Sequence, residues 1–289
     1  GLTPNPDILC NQAIKFKALW NSIRQYECDF IATGHYAKLI QKPQSKNLNP
    51  NNYQITKPKD STKDQTYFLW GIAREMLPKI LFPLGELTKT EVRQLARKYD
   101  LVTAYKKDSQ GICFIGPLKV RQFISSQIKT LPGAVVLKDG REIAKHDGVE
   151  LYTIGQRLAV GSVEWSGDVP PLFVCAKDIK NNLLVVGSDA DCWGKELIAG
   201  SLNWLTPPSG DKFVAKAKIR YRQEDVLLSA KLVGSKVRVK ISHKVRAITA
   251  GQSIVFYGDD GQLLGGGIIE VVPNQNEIIQ RLSVARTKA

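Results

Sequence analysis

Two cysteines carry the reactive chemistry of this sequence, and the first stands just behind a pair of prolines. In Thr3-Pro4-Asn5-Pro6-Asp7-Ile8-Leu9-Cys10-Asn11 each proline fixes its own φ and pushes the residue before it into an extended conformation. A helix is therefore expected to begin no earlier than Asp7. Leu9, Ala13, Phe16, Trp20 and Ile23 then recur at spacings of four and three, which is one face of an amphipathic helix. This puts Cys10 in or near the first turn, where unpaired N–H groups and the positive end of the dipole favour a thiolate. Asp7 either caps the helix or turns its carboxylate towards whatever the thiol attacks. The plain alternative is a capping aspartate beside a small buried cysteine. The second thiol, Cys113, lies between glycines in Asp108-Ser109-Gln110-Gly111-Ile112-Cys113-Phe114-Ile115-Gly116, a loop-to-strand segment.

The bulk of the chain bounds what these thiols can serve. A chain of 289 residues, 43% hydrophobic, can build two or three domains with real cores. No apolar run approaches the roughly 20 residues of a membrane helix, and Gly1-Leu2-Thr3-Pro4 carries no basic-then-apolar signal. Five cysteines, an odd and sparse set, fit a reducing compartment better than a disulfide framework. A cytoplasmic protein without a membrane partner is expected. The formal charge is +14, and Lys212 to Arg246 alone holds eleven Lys or Arg against Glu224 and Asp225. So compact a basic segment suits a phosphate backbone; the alternative is a solvated strand face.

The elements that position the thiols follow in order. Residues 1–116 read as the later part of an α/β domain. In it Phe30-Ile31-Ala32-Thr33 is a short strand ended by Gly34, the place where open α/β sheets bind ligands. Gly34 lets a backbone approach a nucleotide, and His35 can donate to a phosphate or a base. Residues 41–52 are a polar surface loop. Lys63-Asp64-Gln65 is expected to open a helix through Tyr67, Phe68 and Leu69, with its polar residues exposed. Thr88-Lys89-Thr90-Glu91 is a capping box leading a helix to Tyr99, to which no chemistry is assigned.

Residues 117–195 read as a small, mostly β middle domain. One helix is expected between Val120 and Ile128, a hairpin at Asp139-Gly140, and strands at Phe173–Cys175 and Leu183–Val186. Residues 196–275 read as an antiparallel β-barrel, with strands at Phe213–Ile219, Val226–Leu232, Lys236–Ile241, Ser253–Tyr257 and Leu263–Val271. The end of the chain, from Pro273 and chiefly 276–289, is expected to be a loosely ordered tail. His35, His146 and His243 stand in no ligand spacing and no Cys-x-x-Cys occurs, so no metal site is expected. Cys28, Cys175 and Cys192 read as packing residues. Gly265-Gly266-Gly267 reads as a bulge or close strand packing, and Arg220, Tyr221 and Arg222 as residues alternating along a strand.

Further segments join the two cysteine motifs in a wider pattern. They are Ala32-Thr33-Gly34-His35-Tyr36-Ala37, Lys63-Asp64-Gln65-Thr66-Tyr67-Phe68-Leu69 and Phe82-Pro83-Leu84-Gly85-Glu86. Tyr152-Thr153-Ile154-Gly155-Gln156-Arg157, Ala217-Lys218-Ile219-Arg220-Tyr221-Arg222-Gln223 and Gly265-Gly266-Gly267-Ile268-Ile269-Glu270 follow. In this order, over nearly the whole chain, they resemble the tRNA 2-thiouridylases of the MnmA family. The resemblance implies a partial Rossmann-like domain of the adenine nucleotide α-hydrolase type, a small mostly β middle domain and a C-terminal antiparallel β-barrel.

The activity it implies is ATP-dependent transfer of sulfur from a cysteine persulfide to C2 of the wobble uridine, U34, of tRNA. ATP, with or without Mg2+, would adenylate O2 of the base, and a cysteine desulfurase or sulfur-relay protein would load the persulfide donor. By the same resemblance Cys113 would hold the persulfide, and Cys10 would be the partner nucleophile, able to pair with it as a disulfide. Asp7 would act on the target base as acid–base group or orienter, with Asn5 and Pro6 shaping the pocket. Gly34 would contact ATP; His35, Lys63, Asp64, Gln65, Arg220, Tyr221 and Gln252 would contact tRNA. Gln252 stands in Ala250-Gly251-Gln252 where the family pattern is Pro-Gly-Gln. The family's Ser-Gly-Gly-x-Asp-Ser loop does not occur in this sequence. The sequence is accordingly expected to be a piece of a longer product that would not activate uridine alone. The other class of function is a catalytically inactive tRNA-binding protein that keeps the barrel and the old cysteines.

Overall fold

Helix formation starts where Asn5 can cap it. In the computed structural model, which describes residues 1–41, 49–106, 120–158 and 170–288, the Asn5 side chain accepts from the backbone N–H of Asp7 at 3.1 Å and of Ile8 at 3.4 Å. The first helix, α1 (Pro6–Leu9), therefore begins one residue earlier than expected, and Asn5, not Asp7, is its cap. Proline is at home at the first helical position because its missing N–H would have no partner there. The chain runs on as a π-helical stretch, Cys10–Leu19, and a closing turn, α2 (Trp20–Ile23). Cys10 lies past the first turn, and its N–H is already bonded to the carbonyls of Pro6 and Asp7. π winding bonds residues five apart, which shifts the expected apolar stripe. Asn11 and Phe16 are buried, five apart, and so is Ile8, while Leu9 and Ala13 face solvent.

The α/β part continues with β1 (Ile31–Ala32), β2 (Lys38–Gln41), β3 (Tyr53–Thr56), β4 (Ile80–Leu81) and α3 (Lys89–Lys98). β1 and β4 pair in parallel, and β2 and β3 form an antiparallel hairpin that bridges to the barrel at Thr56 and Gln262. The helix expected at Lys63 is instead two 3-10 turns, Ser61–Lys63 and Thr66–Phe68. The Asp64 carboxylate takes the Thr66 N–H at 2.9 Å and the Thr66 hydroxyl at 2.6 Å, a local bond that competes with helix propagation. At α3 both halves of the Thr88–Glu91 capping box form, as the sequence predicts.

The middle part holds α4 (Val120–Gln127) and the strands β5 (Gly133–Leu137), β6 (Glu142–His146), β7 (Phe173–Asp178) and β8 (Leu183–Gly187), in the sheet order β6-β5-β8-β7. The Asp139-Gly140 turn joins β5 and β6, with Gly140 at φ 94°. Then comes a closed barrel of β9 (Trp193–Trp204), β10 (Lys212–Lys218), β11 (Val226–Val233), β12 (Lys236–Arg246), β13 (Ser253–Tyr257) and β14 (Leu263–Val271), in the order β10-β11-β12-β9-β14-β13. Sequence reading missed β9, whose glycines and scattered charges hide its alternation. The glycine run of β14 packs closely, as expected: a Cβ on Gly266 would stand 2.7 Å from the Ile254 carbonyl oxygen and 2.8 Å from the Trp70 ring.

Two packing expectations are corrected. Cys175 and Cys192 are buried, but Cys28 is exposed just after the 3-10 turn that follows α2. The expected loose tail is a helix, α5 (Pro273–Lys288), in which Ile278, Ile279 and the buried Leu282 pack against Cys175, Ala176 and Val185 of the middle sheet. Three apolar residues among polar ones are a faint sequence signal, yet they suffice once a sheet face is waiting. Among the described residues no helix is long and apolar enough to cross a membrane. Leu282→Ala is expected to lower unfolding stability by about 2–5 kcal/mol in urea titrations; a loosely ordered tail would leave the midpoint where it was.

Candidate active site

The segment that leads to Cys10 lies against the barrel. The Thr3 N–H donates to the Ala250 carbonyl at 3.2 Å, and the Gln252 side-chain amide donates to the Thr3 carbonyl at 2.6 Å. A cavity of about 510 Å³ opens beside this contact, between Pro4, Asn5 and Ile8 on one side and Gly251, Ser253 and Ile268 on the other. Cys10 is half-buried. Next to it Asn11, 2% exposed, donates to the Phe68 carbonyl at 3.1 Å and fixes the helix to the 66–68 turn.

Gln65, just before that turn, lines a larger cleft of about 740 Å³ together with Gly34, Tyr36, Lys63, Tyr221 and Arg222 among others. Gln65 clamps the strand-end motif by two bonds, its N–H to the Tyr36 carbonyl at 3.1 Å and its Oε1 to the Tyr36 N–H at 2.9 Å. Gly34 keeps an open face, since an added Cβ would meet only Leu84, at 3.8 Å. It also borders a cavity of about 400 Å³ with Lys15, Thr33 and His35, past the end of β1. Tyr221 lays its ring on Phe68, centroids 4.3 Å apart, with Tyr67 behind at 6.1 Å. Arg220, Tyr221 and Arg222 do not alternate along a strand as expected: β10 ends at Lys218, and Arg222 sits at φ 69° in a turn. Helix α3, assigned no chemistry from sequence, lends Lys89 and Arg93 to the same cleft, and its C-cap adds Tyr99. The four-residue spacing of Lys89 and Arg93 was the available signal.

Two predicted site residues sit deeper than expected. The Asp64 side chain is 4% exposed and accepts from Lys218 Nζ at 2.9 Å as well as from Thr66, so it is not part of an exposed polar end. His35 is buried between the rings of Phe16 and Phe82, both 6.0 Å away, with Nδ1 2.8 Å from the Thr33 hydroxyl. Burial first, and Lys15 second, bring its pKa down to about 4, so the ring is neutral near pH 7. The structure thus gathers residues 33–36, 63–65 and 220–222 around one turn, and joins residues 3–10 to Gln252 close by. Cys113, with its segment Asp108–Gly116, lies outside the described residues. Among the described residues no group of three or more His, Cys, Asp or Glu could hold a metal ion.

Comparison with known proteins covers the chain in three consecutive pieces. Residues 1–117 match the tRNA methyl transferase HUP domain, 121–188 the tRNA methyl transferase PRC-barrel domain and 194–269 the aminomethyltransferase β-barrel domain. A protein of Bacillus cytotoxicus named tRNA-specific 2-thiouridylase MnmA is 40% identical over 98% of this chain and 74% of its own length. Proteins of the same name from Streptococcus mutans and Hahella chejuensis are 41% and 43% identical, over 97% and 94% of this chain and 74% of each relative.

Two outcomes test the site as built. Removing one partner of the buried pair strands the other charge, so Asp64→Ala is expected to cost about 3–5 kcal/mol in urea unfolding. Adding Lys218→Met to it should restore much of that loss. His35 has a folded pKa of about 4 against an ordinary histidine value of 6.5. As pH falls from 6.5 towards 4 the unfolded chain takes up the proton first, and stability falls across that window. His35→Gln should flatten the fall in unfolding midpoints measured from pH 7.5 to 4.5.

Proposed function

The chain belongs to the tRNA-specific 2-thiouridylase MnmA family, and from that membership we propose that it forms 2-thiouridine in tRNA by transferring sulfur to C2 of the wobble uridine. The observation that supports this best is the meeting, around residues 65–68, of the Asn5–Cys10 segment with the basic aromatic turn at Arg220–Arg222. A thiol-bearing helix and an aromatic basic turn that both pack on Phe68 suit a reaction on a single exposed base. Such a base must leave its stack before C2 can be reached, and the flanking RNA must be held meanwhile.

Cys113 carries the sulfane sulfur, loaded by a cysteine desulfurase or a relay protein. The terminal sulfur of the persulfide bonds to C2 as the C2–O2 bond breaks. The Cys10 thiolate attacks the inner sulfur, and the electron pair of the S–S bond passes to the new thiocarbonyl. The products are 2-thiouridine, the activating group carrying O2 away, and a Cys10–Cys113 disulfide, which a thiol reductant resets. Asp7 orients the base or moves its proton, and Asn5 and Pro6 shape the pocket. ATP, when bound, supplies the group that makes O2 a leaving group. Gly34 suits it, having no side chain and open space before it. Lys63, Gln65 and Tyr221 hold the RNA from the cleft, with Arg220 next to Tyr221 in the chain and His35 and Asp64 behind them.

Residues 1–116 handle nucleotide and sulfur, 117–195 form the middle domain, and 196–275 grip the RNA; residues 276–288 lie in α5. On the barrel wall Lys212, Lys231 and Arg238 stand directly opposite one another across β10, β11 and β12. Like charges so placed repel, and a phosphate backbone would relieve them. Lys218, Lys236 and Arg246 are neutralised by Asp64, Glu270 and Asp189. The reaction belongs to the cytoplasm, where thiols stay reduced. The full gene product, given tRNA, ATP and a persulfide donor, is expected to yield 2-thiouridine by nucleoside mass spectrometry, and Cys113→Ser to yield none. A fully active Cys113→Ser would refute the persulfide assignment; no product from the unaltered protein would refute the enzyme.

A further inference from the structure

We infer that Gln252 is a positioning residue: it holds the Thr3–Cys10 segment to the barrel and acts on the reaction through Thr3, not through RNA. Its side-chain amide donates to the Thr3 carbonyl at 2.6 Å, while the Thr3 N–H donates to the Ala250 carbonyl at 3.2 Å. Both backbone groups of Thr3 are therefore held by one barrel loop.

That loop is itself rigid. The Gly251 N–H donates to the Ile269 carbonyl and the Ile269 N–H to the Gln252 carbonyl, each at 2.8 Å, and the Gln252 N–H reaches the Thr249 carbonyl at 3.2 Å. Gly251 sits at φ 90°, and a Cβ there would stand 2.7 Å from the Thr3 nitrogen, so the approach requires glycine. One residue on, the Ser253 carbonyl accepts from the Tyr67 hydroxyl at 2.9 Å. A single loop thus anchors both the segment leading to Cys10 and the 66–68 turn.

The path from Thr3 to the thiol has little slack. Pro4 and Pro6 fix two of the intervening φ angles, Asn5 caps the helix through Asp7 and Ile8, and Cys10 follows within that helix. A shift at Thr3 is carried to Asp7 and Cys10 instead of being absorbed by a flexible linker.

The inference rests on the reading of Cys10 as a sulfur-handling thiol, but its first test needs no turnover. In the reduced full gene product, iodoacetamide alkylation of Cys10 is followed by peptide mass spectrometry from pH 6 to 9, with exposed Cys28 as internal control. Gln252→Ala and the isosteric Gln252→Glu, which loses the donor, are each expected to change the Cys10 rate by about threefold or more, leaving Cys28 unaffected. Affinity for tRNA should stay within about twofold. In thiolation assays kcat should fall while KM for tRNA holds. Tenfold or greater loss of tRNA affinity with unchanged Cys10 reactivity would overturn the inference and make Gln252 an RNA contact. If the unaltered protein makes no 2-thiouridine, the enzyme reading fails while the alkylation result still decides the role of Gln252.

Discussion

The buried pair of Asp64 and Lys218 is the constraint on which the site depends. Two charges removed from water are tolerable only when each finds good geometry and further hydrogen bonds. Here the carboxylate also receives the Thr66 N–H and hydroxyl, and the Thr66 hydroxyl lies 3.1 Å from that of Tyr257 in β13. The pair therefore ties an irregular segment of the α/β part to a barrel wall at one registered position. A second pair, Lys57 with Asp225, joins the same two parts. Sliding the seam by a residue would leave charges buried without partners, so the contact fixes alignment as well as attachment.

The described α/β strands explain why such an anchor is needed. β1 and β4 are two residues long and pair only with each other, too little sheet to order the loops at their ends. A closed barrel has no free edge and holds its loops firmly. Asn203 of β9 extends the seam by donating to the Trp70 and Ile72 carbonyls at 2.6 and 2.9 Å. Trp70 in turn covers Gly266, where any side chain would collide with its ring. Residues 64–72 thus take their shape from the barrel, and the candidate site forms where that borrowed order ends.

What the sequence made legible was local. The capping box at Thr88, the hairpin turn at Asp139-Gly140 and five of the six barrel strands depend on neighbours in the chain, and each was found where expected. The misses came from distant partners. Asp64 read as an exposed polar residue because Lys218 lies 154 positions away. β9 was hidden because its inward residues, among them Leu197 and Ala199, make sense only against the facing strands. The α5 helix offered three apolar residues whose partners belong to the middle sheet. The π winding after Leu9 broke the periodicity that had been counted, since burial at Asn11 and Phe16 follows a five-residue repeat. The cysteine motif at residue 10 was plain in the sequence; the loop that holds it was not.

The winding also changes what the helix start can do for Cys10. A macrodipole acts within the first turn, and the N–H groups of that turn belong to Asp7, Ile8 and Leu9, all taken by Asn5, the first two by its side chain and the third by its carbonyl. The Cys10 N–H is bonded inside the helix. No unpaired donor of the first turn is therefore left to stabilise a thiolate at residue 10. The helix start supplies location instead, setting the thiol one turn beyond a capped and proline-stiffened entry whose far end the barrel grips at Thr3. Location of that kind is effective only if the grip is rigid, and the paired bonds between the 249–252 loop and Ile269 make it so.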